Sequence, residues 1–188
     1  MSLVVEPTSV AQWQSLILEA ERACEVNLGV DTESYLVFLL MRFVGRPEMA
    51  ASVLGLEFLE SAHDLSHARE DKLRDVGDKC LLYSGLFPGR AERRRVNISY
   101  FVKLGQAAYC TLSDHSPRLA AFYEVLCEKF VAMMEVLQTT RELKEDKSAL
   151  SPLEAYSLWE DLRSQHALVD LKRYTDGMIF PFEKKHKH

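Results

Sequence analysis

The strongest constraint on the fold is a run of apolar residues that recurs every three or four positions between residues 119 and 137. The stripe consists of Leu119, Phe122, Tyr123, Leu126, Phe130, Met133, Met134 and Leu137. Such steps keep side chains on one face of an α-helix, whereas a strand needs steps of two. Glu124 and Glu128 fall off this stripe. The spacing predicts an amphipathic helix from Pro117 to about Leu143, with Ser116 as its cap.

The same periodicity continues through most of the chain and predicts an all-α bundle of six or seven helices. No segment alternates over the length of a strand, and no hairpin dipeptide such as Asn-Gly is present. Asn97 and the Ser151-Pro152 pair are typical of helix starts. We expect residues 1–180 to form a single helical-bundle domain and residues 181–188 to form a disordered basic tail.

Two glycines inside predicted helices indicate places where helices approach closely. Gly77 lies within a helix expected from about Asp64 to Leu86, and Gly105 lies in the helix that follows Asn97. Glycine costs a helix interior about 1 kcal/mol relative to alanine. We therefore expect a tightly packed neighbour at each position.

The charge and the apolar runs bear on partners and location. The 188 residues carry a formal net charge of −5, so the global positive field typical of nucleic-acid-binding proteins is missing. The longest apolar stretch, Tyr35–Met41, is far shorter than the roughly 20 residues that span a bilayer. The N-terminus also lacks the pattern of a secretory signal. We expect a cytoplasmic protein with no membrane partner, and the net charge disfavours a nucleic-acid partner.

The four cysteines, Cys24, Cys80, Cys110 and Cys127, are isolated from one another. No Cys-x-x-Cys pair is present, and each cysteine lies among apolar residues at helical spacing. This pattern predicts small, buried, reduced thiols.

The segment Tyr35–Val44 is apolar nearly all round. A helix of this kind lies either in the middle of a core or in a subunit interface. The sequence therefore predicts a possible partner surface, formed with a second copy of the chain or with another protein.

A turn rich in arginine follows the predicted helix that ends near Leu86. It contains Arg90, Arg93, Arg94 and Arg95. Guanidinium groups bind phosphate and carboxylate through paired hydrogen bonds, so the turn could hold an anion or a nucleic-acid backbone. The alternative is structural: the arginines could pair with Asp75 and Asp78 of the preceding helix, and this interpretation is favoured.

A second candidate site lies in the sequence "ESAHDLSH". Glu60, His63 and His67 share one face if the helix is continuous there. Carboxylate and imidazole groups at this spacing can bind zinc, iron or manganese. A di-iron bundle needs a second Glu-x-x-His motif, which is missing, since Arg163 stands three residues before His166. The alternative is a solvated helix end.

Residues Leu73–Tyr109 contain an "RDVGD" step, an "SGLFP" turn, an arginine cluster, then "YF" and "LGxxAY". In this pattern they resemble a family of uncharacterised bacterial all-helical proteins. The resemblance covers about a fifth of the chain. It implies a bacterial, cytoplasmic origin, and it implies no catalytic residue.

Motifs for covalent or nucleotide chemistry are absent from the sequence. There is no Gly-x-Ser-x-Gly elbow and no glycine-rich or Walker phosphate loop. We therefore favour a non-enzymatic interaction or regulatory module without a cofactor. The alternatives are a metal-dependent bundle enzyme using Glu60, His63 and His67, and an anion-binding or nucleic-acid-binding protein using the turn at Arg90–Arg95.

Overall fold

The structure, a computed structural model, describes residues 9–45, 68–88, 97–145, 148 and 150–175. These ranges contain eight α-helices and no β-strand. In chain order they are α1 (Ser9–Cys24), α2 (Val30–Gly45), α3 (Ala68–Gly85), α4 (Ile98–His115), α5 (Ala120–Glu128), α6 (Phe130–Glu145), α7 (Pro152–Leu162) and α8 (Gln165–Thr175). The predicted all-α class is confirmed. The predicted number of six or seven helices is slightly too low, because the segment predicted as one helix from Pro117 to Leu143 divides into α5 and α6.

The core lies where α6 packs against α1 and α3, and where α3 packs against α4. The predicted stripe supplies its centre, since Phe130, Met133, Met134 and Leu137 are fully buried. Helix α3 adds a second fully buried stripe, formed by Leu73, Val76, Cys80 and Tyr83. Burying one large apolar side chain contributes about 1.5–3 kcal/mol. These two faces therefore provide much of the drive for folding.

The long helix predicted from Pro117 to Leu143 is interrupted at Lys129. The backbone of Lys129 has φ −86° and ψ 8°, outside the helical range, although its amide still donates to the Val125 carbonyl at 2.9 Å. The Lys129 ammonium donates to the Leu28 carbonyl at 2.6 Å, in the connection between α1 and α2. The prediction of one helix is wrong here, because periodicity continues through a local kink.

The start of that helix also differs from the prediction. The amide of Ser116 donates to the Leu112 carbonyl at 2.9 Å, so Ser116 ends α4 rather than capping the next helix. Helix α5 begins only at Ala120. Pro117 therefore lies in the turn between the two helices.

Other predicted helix starts are confirmed. The side chain of Asn97 accepts a hydrogen bond from the Ser99 amide at 3.2 Å at the start of α4. Ser151 and Glu154 form a reciprocal capping box at the start of α7. Helix α7 ends at Arg163, whose φ of 57° is left-handed, so α8 begins as a separate helix.

The expected close approaches at two glycines are also confirmed. A Cβ atom at Gly77 would lie 2.4 Å from the Tyr109 ring, and one at Gly105 would lie 2.5 Å from the Phe130 ring. Both distances are far below van der Waals contact. Glycine at these positions lets aromatic rings pack directly on the helix backbone.

The prediction of four reduced, buried thiols is wrong for one pair. Cys110 of α4 and Cys127 of α5 form a disulfide with a Cα–Cα distance of 5.5 Å, and Cys110 is exposed. The two residues lie 17 positions apart on adjacent helices, so their proximity depends on the turn between these helices. Cys80, which is buried, and Cys24, which is half-buried, are not part of a disulfide.

Helix α2 is covered largely by its own chain. Leu36, Val37, Leu39 and Leu40 are buried in the core. Phe38 and Val44 remain 62% and 63% exposed. The apolar surface that needs a partner is therefore smaller than the sequence alone indicates.

Several predictions fall outside the described residues. They concern the predicted metal ligands Glu60, His63 and His67, the arginines Arg90, Arg93, Arg94 and Arg95, and the tail 181–188. Among the helices that the structure does describe, none is long and apolar enough to cross a membrane.

Candidate functional site

Two polar strips face each other where α8 packs near α6. Each strip has the spacing i, i+4, i+7, which places its members on one helix face. Helix α6 contributes Glu135, Thr139 and Glu142, and helix α8 contributes His166, Asp170 and Arg173. The site is therefore built from two helix faces rather than from loops.

Three ligand-type atoms converge at the centre of this contact. His166 Nε2 lies 3.0 Å from Glu142 Oε1 and 3.8 Å from Asp170 Oδ2. All three atoms lie within 4.8 Å of one another. Two ligands of a tetrahedral ion at about 2.1 Å would be separated by about 3.4 Å, so these distances bracket those of a metal site.

The Asp170 carboxylate is held on both sides. Its side chain is 0% exposed. Oδ2 accepts a hydrogen bond from the Ser148 hydroxyl at 2.6 Å, and Oδ1 accepts one from Arg173 Nη1 at 3.2 Å. These partners fix the orientation of the carboxylate.

The second ring nitrogen of His166 also has a partner. Nδ1 lies 3.5 Å from the Thr139 hydroxyl, which itself donates to the Glu135 carbonyl at 2.9 Å. The Thr139 oxygen is therefore oriented to accept a hydrogen bond from Nδ1–H. A metal-binding histidine commonly donates its other N–H in this way, which leaves Nε2 free to bind the ion.

Glu135 fixes the start of α8 on α6. Its Oε1 accepts a hydrogen bond from the Ser164 hydroxyl at 2.6 Å and lies 3.4 Å from the His166 amide. The Ser164 oxygen accepts in turn from the Ala167 amide at 3.2 Å. His166 therefore enters the site from an anchored helix end.

The pKa values show that the site attracts positive charge. Burial alone would lower the pKa of His166, but its hydrogen bond to Glu142 and the charges of Glu142, Asp170 and Glu135 outweigh burial and raise it. Burial raises the pKa of Asp170, and the charge of Glu142 raises it further. The negative charge of these carboxylates therefore exceeds the positive charge around them. Either a proton on His166 or a metal ion compensates the difference.

The site opens onto a cavity of about 790 Å³. This volume is in the range of small-molecule sites. Ala23, Val26, Leu143 and Val169 form an apolar part of its wall. The Cys24 thiol also lines the cavity, but burial raises its pKa, so it is not a ready thiolate ligand.

Sequence reasoning missed this site, although a signal was present. The Glu-x-x-His pattern directs attention to the residue three positions before His166, which is Arg163, whereas the partner of His166 on its own helix is Asp170, four positions after it. The polar residues Glu135, Thr139 and Glu142 recur with the period of the apolar stripe on α6. This recurrence indicates that α6 has a polar face, which is directed toward α8 rather than toward solvent.

The carboxylates expected to pair with the arginine turn have another partner. Asp78 is buried, and its Oδ2 accepts a hydrogen bond from Arg42 of α2, whose Nη2 also lies 3.4 Å from Asp75 Oδ1. The hydroxyl groups of Tyr35 and Tyr109 both donate to Asp78 Oδ1. This cluster holds α2, α3 and α4 together, and the arginine turn lies outside the described residues.

Comparison with known protein families, curated proteins and solved structures found no match.

Proposed function

We propose that this protein binds one divalent transition-metal ion through Glu142, His166 and Asp170. The observation that carries the proposal is the convergence of one imidazole nitrogen and two carboxylate oxygens within 4.8 Å. One nitrogen and two oxygens suit manganese, iron or zinc. The neighbouring hydrogen bonds from Ser148 and to Thr139 support it, because they orient the ligands.

The competing interpretation is a metal-free ion pair between protonated His166 and Glu142, which would join α8 to α6. The two interpretations differ in one measurable respect. A metal centre binds an added ion with a defined stoichiometry, whereas an ion pair binds none.

Calorimetric titration of chelator-treated protein with Mn²⁺ and with Zn²⁺ tests the proposal. We expect about one ion per chain. The variants His166→Gln and Asp170→Asn should each weaken binding at least about tenfold, because each removes one ligand. Unchanged binding in both variants, or no binding by the unaltered protein, would contradict the proposal.

Three control variants test four of the five other histidines. His115→Gln changes an exposed histidine on α4 that lies outside the site. His186→Gln combined with His188→Gln removes two histidines of the C-terminal tail, and His63→Gln tests the site predicted at Glu60, His63 and His67. Each control should bind the ion as tightly as the unaltered protein.

A second candidate function is that of an interaction module, with α2 as the partner surface of a homodimer or of another protein. The exposed apolar side chains Val30, Phe38 and Val44 favour it, with exposures of 75%, 62% and 63%. Leu40 is only 2% exposed, so a charge there would disrupt the core rather than an interface.

Light scattering on Phe38→Glu tests this second function. A dimer through α2 should dissociate in this variant while its helix content and melting temperature stay close to those of the unaltered protein. A monomer before substitution would contradict the homodimer. Substitution of the exposed Leu153 on α7, also to glutamate, is the matched control.

A further inference from the structure

The three side chains of the proposed metal centre leave coordination positions open. Divalent ions bound by nitrogen and oxygen take four to six ligands, so about one to three positions remain for water or another ligand. Glu142 and His166 both line the cavity of about 790 Å³. A bound ion would therefore present its open positions to this cavity.

A guanidinium group lies beside the same centre. Arg173 Nη1 is 3.2 Å from Asp170 Oδ1, while the other oxygen of that carboxylate is directed toward His166 Nε2 at 3.8 Å. The Arg173 side chain is 62% exposed and lines the cavity. Asp170 uses one N–H of the guanidinium, which has five, so donors remain for a ligand of the ion.

The charges near the centre favour an anion once the ion is bound. Glu142 and Asp170 compensate the two charges of the ion, and Arg173 then contributes a further positive charge. Glu135 and Glu25 also line the cavity, but Glu135 Oε1 accepts from the Ser164 hydroxyl and the His166 amide, and Glu25 is exposed and screened by solvent. An anion placed between the ion and Arg173 would therefore contact two positively charged groups.

The rest of the cavity wall indicates what else the ligand carries. Ala23, Val26, Leu143 and Val169 line the cavity on its apolar part. A ligand that fills this volume binds more tightly if its carbon atoms lie against these side chains. Each buried methylene increases the affinity about several-fold.

We propose that the ion and Arg173 together bind a small organic carboxylate, whose anionic group lies between them and whose apolar part lies against Val26 and Val169. This inference rests on the proposed metal function. The binding involves no covalent step: one carboxylate oxygen replaces a water on the ion, and the other accepts from the guanidinium.

The experiment uses full-length protein loaded with Mn²⁺ and measures the relaxation rate of water protons. An ion with an exchangeable water should enhance the relaxation, and titration with isovalerate should reverse that enhancement as the carboxylate displaces the water. Acetate should need at least about a tenfold higher concentration, because it lacks the apolar part. Inorganic phosphate should bind more weakly than isovalerate, because it also lacks an apolar part.

Variants on α8 locate the anion site. Arg173→Gln should change the affinity for Mn²⁺ by less than about threefold. The same variant should weaken the binding of isovalerate at least about tenfold. Lys172→Gln removes the same charge from the adjacent exposed residue and should weaken isovalerate less than about twofold.

The outcomes separate the two proposals. No Mn²⁺ binding overturns the metal function and this inference with it. Three other results leave the metal function intact and overturn this inference alone. They are Mn²⁺ binding without enhanced relaxation, equal effects of the Arg173 and Lys172 variants, and phosphate binding as tight as that of isovalerate.

Discussion

The hydroxyl of Tyr109 donates a hydrogen bond of 2.7 Å to the buried carboxylate of Asp78, from α4 to α3. The same ring packs against Gly77, the residue before Asp78. Burial raises the pKa of Asp78, although the charge of Arg42 and the hydroxyl groups of Tyr35 and Tyr109 act in the opposite direction. The carboxylate therefore depends on each of these partners to remain charged inside the protein.

Replacement of Tyr109 by phenylalanine should destabilise the fold without creating a cavity. The substitution removes one hydrogen bond to a charged group, so we expect the free energy of unfolding to fall by about 2 kcal/mol. Urea denaturation measures the change. Tyr100→Phe, on the exposed side of the same helix, should change it by less than about 0.5 kcal/mol, and an equal loss in both variants would contradict this role of Tyr109.

A methyl group at Gly77 should lower the free energy of unfolding, whereas a methyl group at Gly45 should not. The Cβ atom of Gly77→Ala would lie 2.4 Å from the Tyr109 ring, whereas no atom of the described residues lies within 4 Å of the Cβ atom of Gly45→Ala. We expect Gly77→Ala to lose about 1–3 kcal/mol through overpacking, and Gly45→Ala to gain up to about 1 kcal/mol in helix propensity. Thermal and urea unfolding of both variants check the contrast; similar stabilities would mean that α3 and α4 are not closely packed at Gly77.

Alkaline pH should destabilise the protein through two buried tyrosines. Burial and the charge of Asp78 raise the pKa of Tyr35 and Tyr109 well above 10, while the unfolded chain titrates these groups near 10. Below pH 10 both states are protonated, and the full stabilisation is present. Above pH 10 the unfolded state loses protons that the folded state retains, so the free energy of unfolding falls by up to about 2.7 kcal/mol per pH unit.

The double variant Tyr35→Phe/Tyr109→Phe isolates this effect. Urea unfolding at pH 9, 10 and 11 should show a shallower decline in the variant than in the unaltered protein. Parallel pH profiles would show that neither tyrosine contributes to the alkaline loss.

The disulfide between Cys110 and Cys127 should be detectable from the number of reactive thiols, and it should stabilise the protein. Denatured, unreduced protein should have two reactive thiols, those of Cys24 and Cys80, whereas the reduced thiols predicted from sequence would give four. With a sequence separation of 17, the cross-link should contribute about 3 kcal/mol. A reducing agent should therefore lower the melting temperature of the unaltered protein.

The variant Cys110→Ser is the matched control for the reduction experiment. It should melt at the lower temperature with or without the reducing agent. Four reactive thiols in freshly purified, unreduced protein would show that the bond does not form in solution.

The local pattern of residues determined the helical class, the inward-facing stripe on α6 and several helix ends. Phe130 and Leu137 are buried as their spacing predicts, and Asn97 and Ser151 cap helices as their side-chain chemistry predicts. These features depend on hydrogen bonds and side-chain contacts within a few residues, which the sequence contains directly. The same reasoning extended one helix through Lys129, because a kink leaves the apolar period intact.

Tertiary packing alone decided which polar faces meet. Arg42 reaches Asp78 across 36 positions, and Glu142 reaches His166 across 24. Periodicity assigns a residue to a face of its own helix, but the neighbour of that face depends on how all the helices share one core. For this reason the sequence alone does not indicate Glu142, His166 and Asp170, which the folded chain brings together, and the predicted ligands Glu60, His63 and His67 lie outside the described residues.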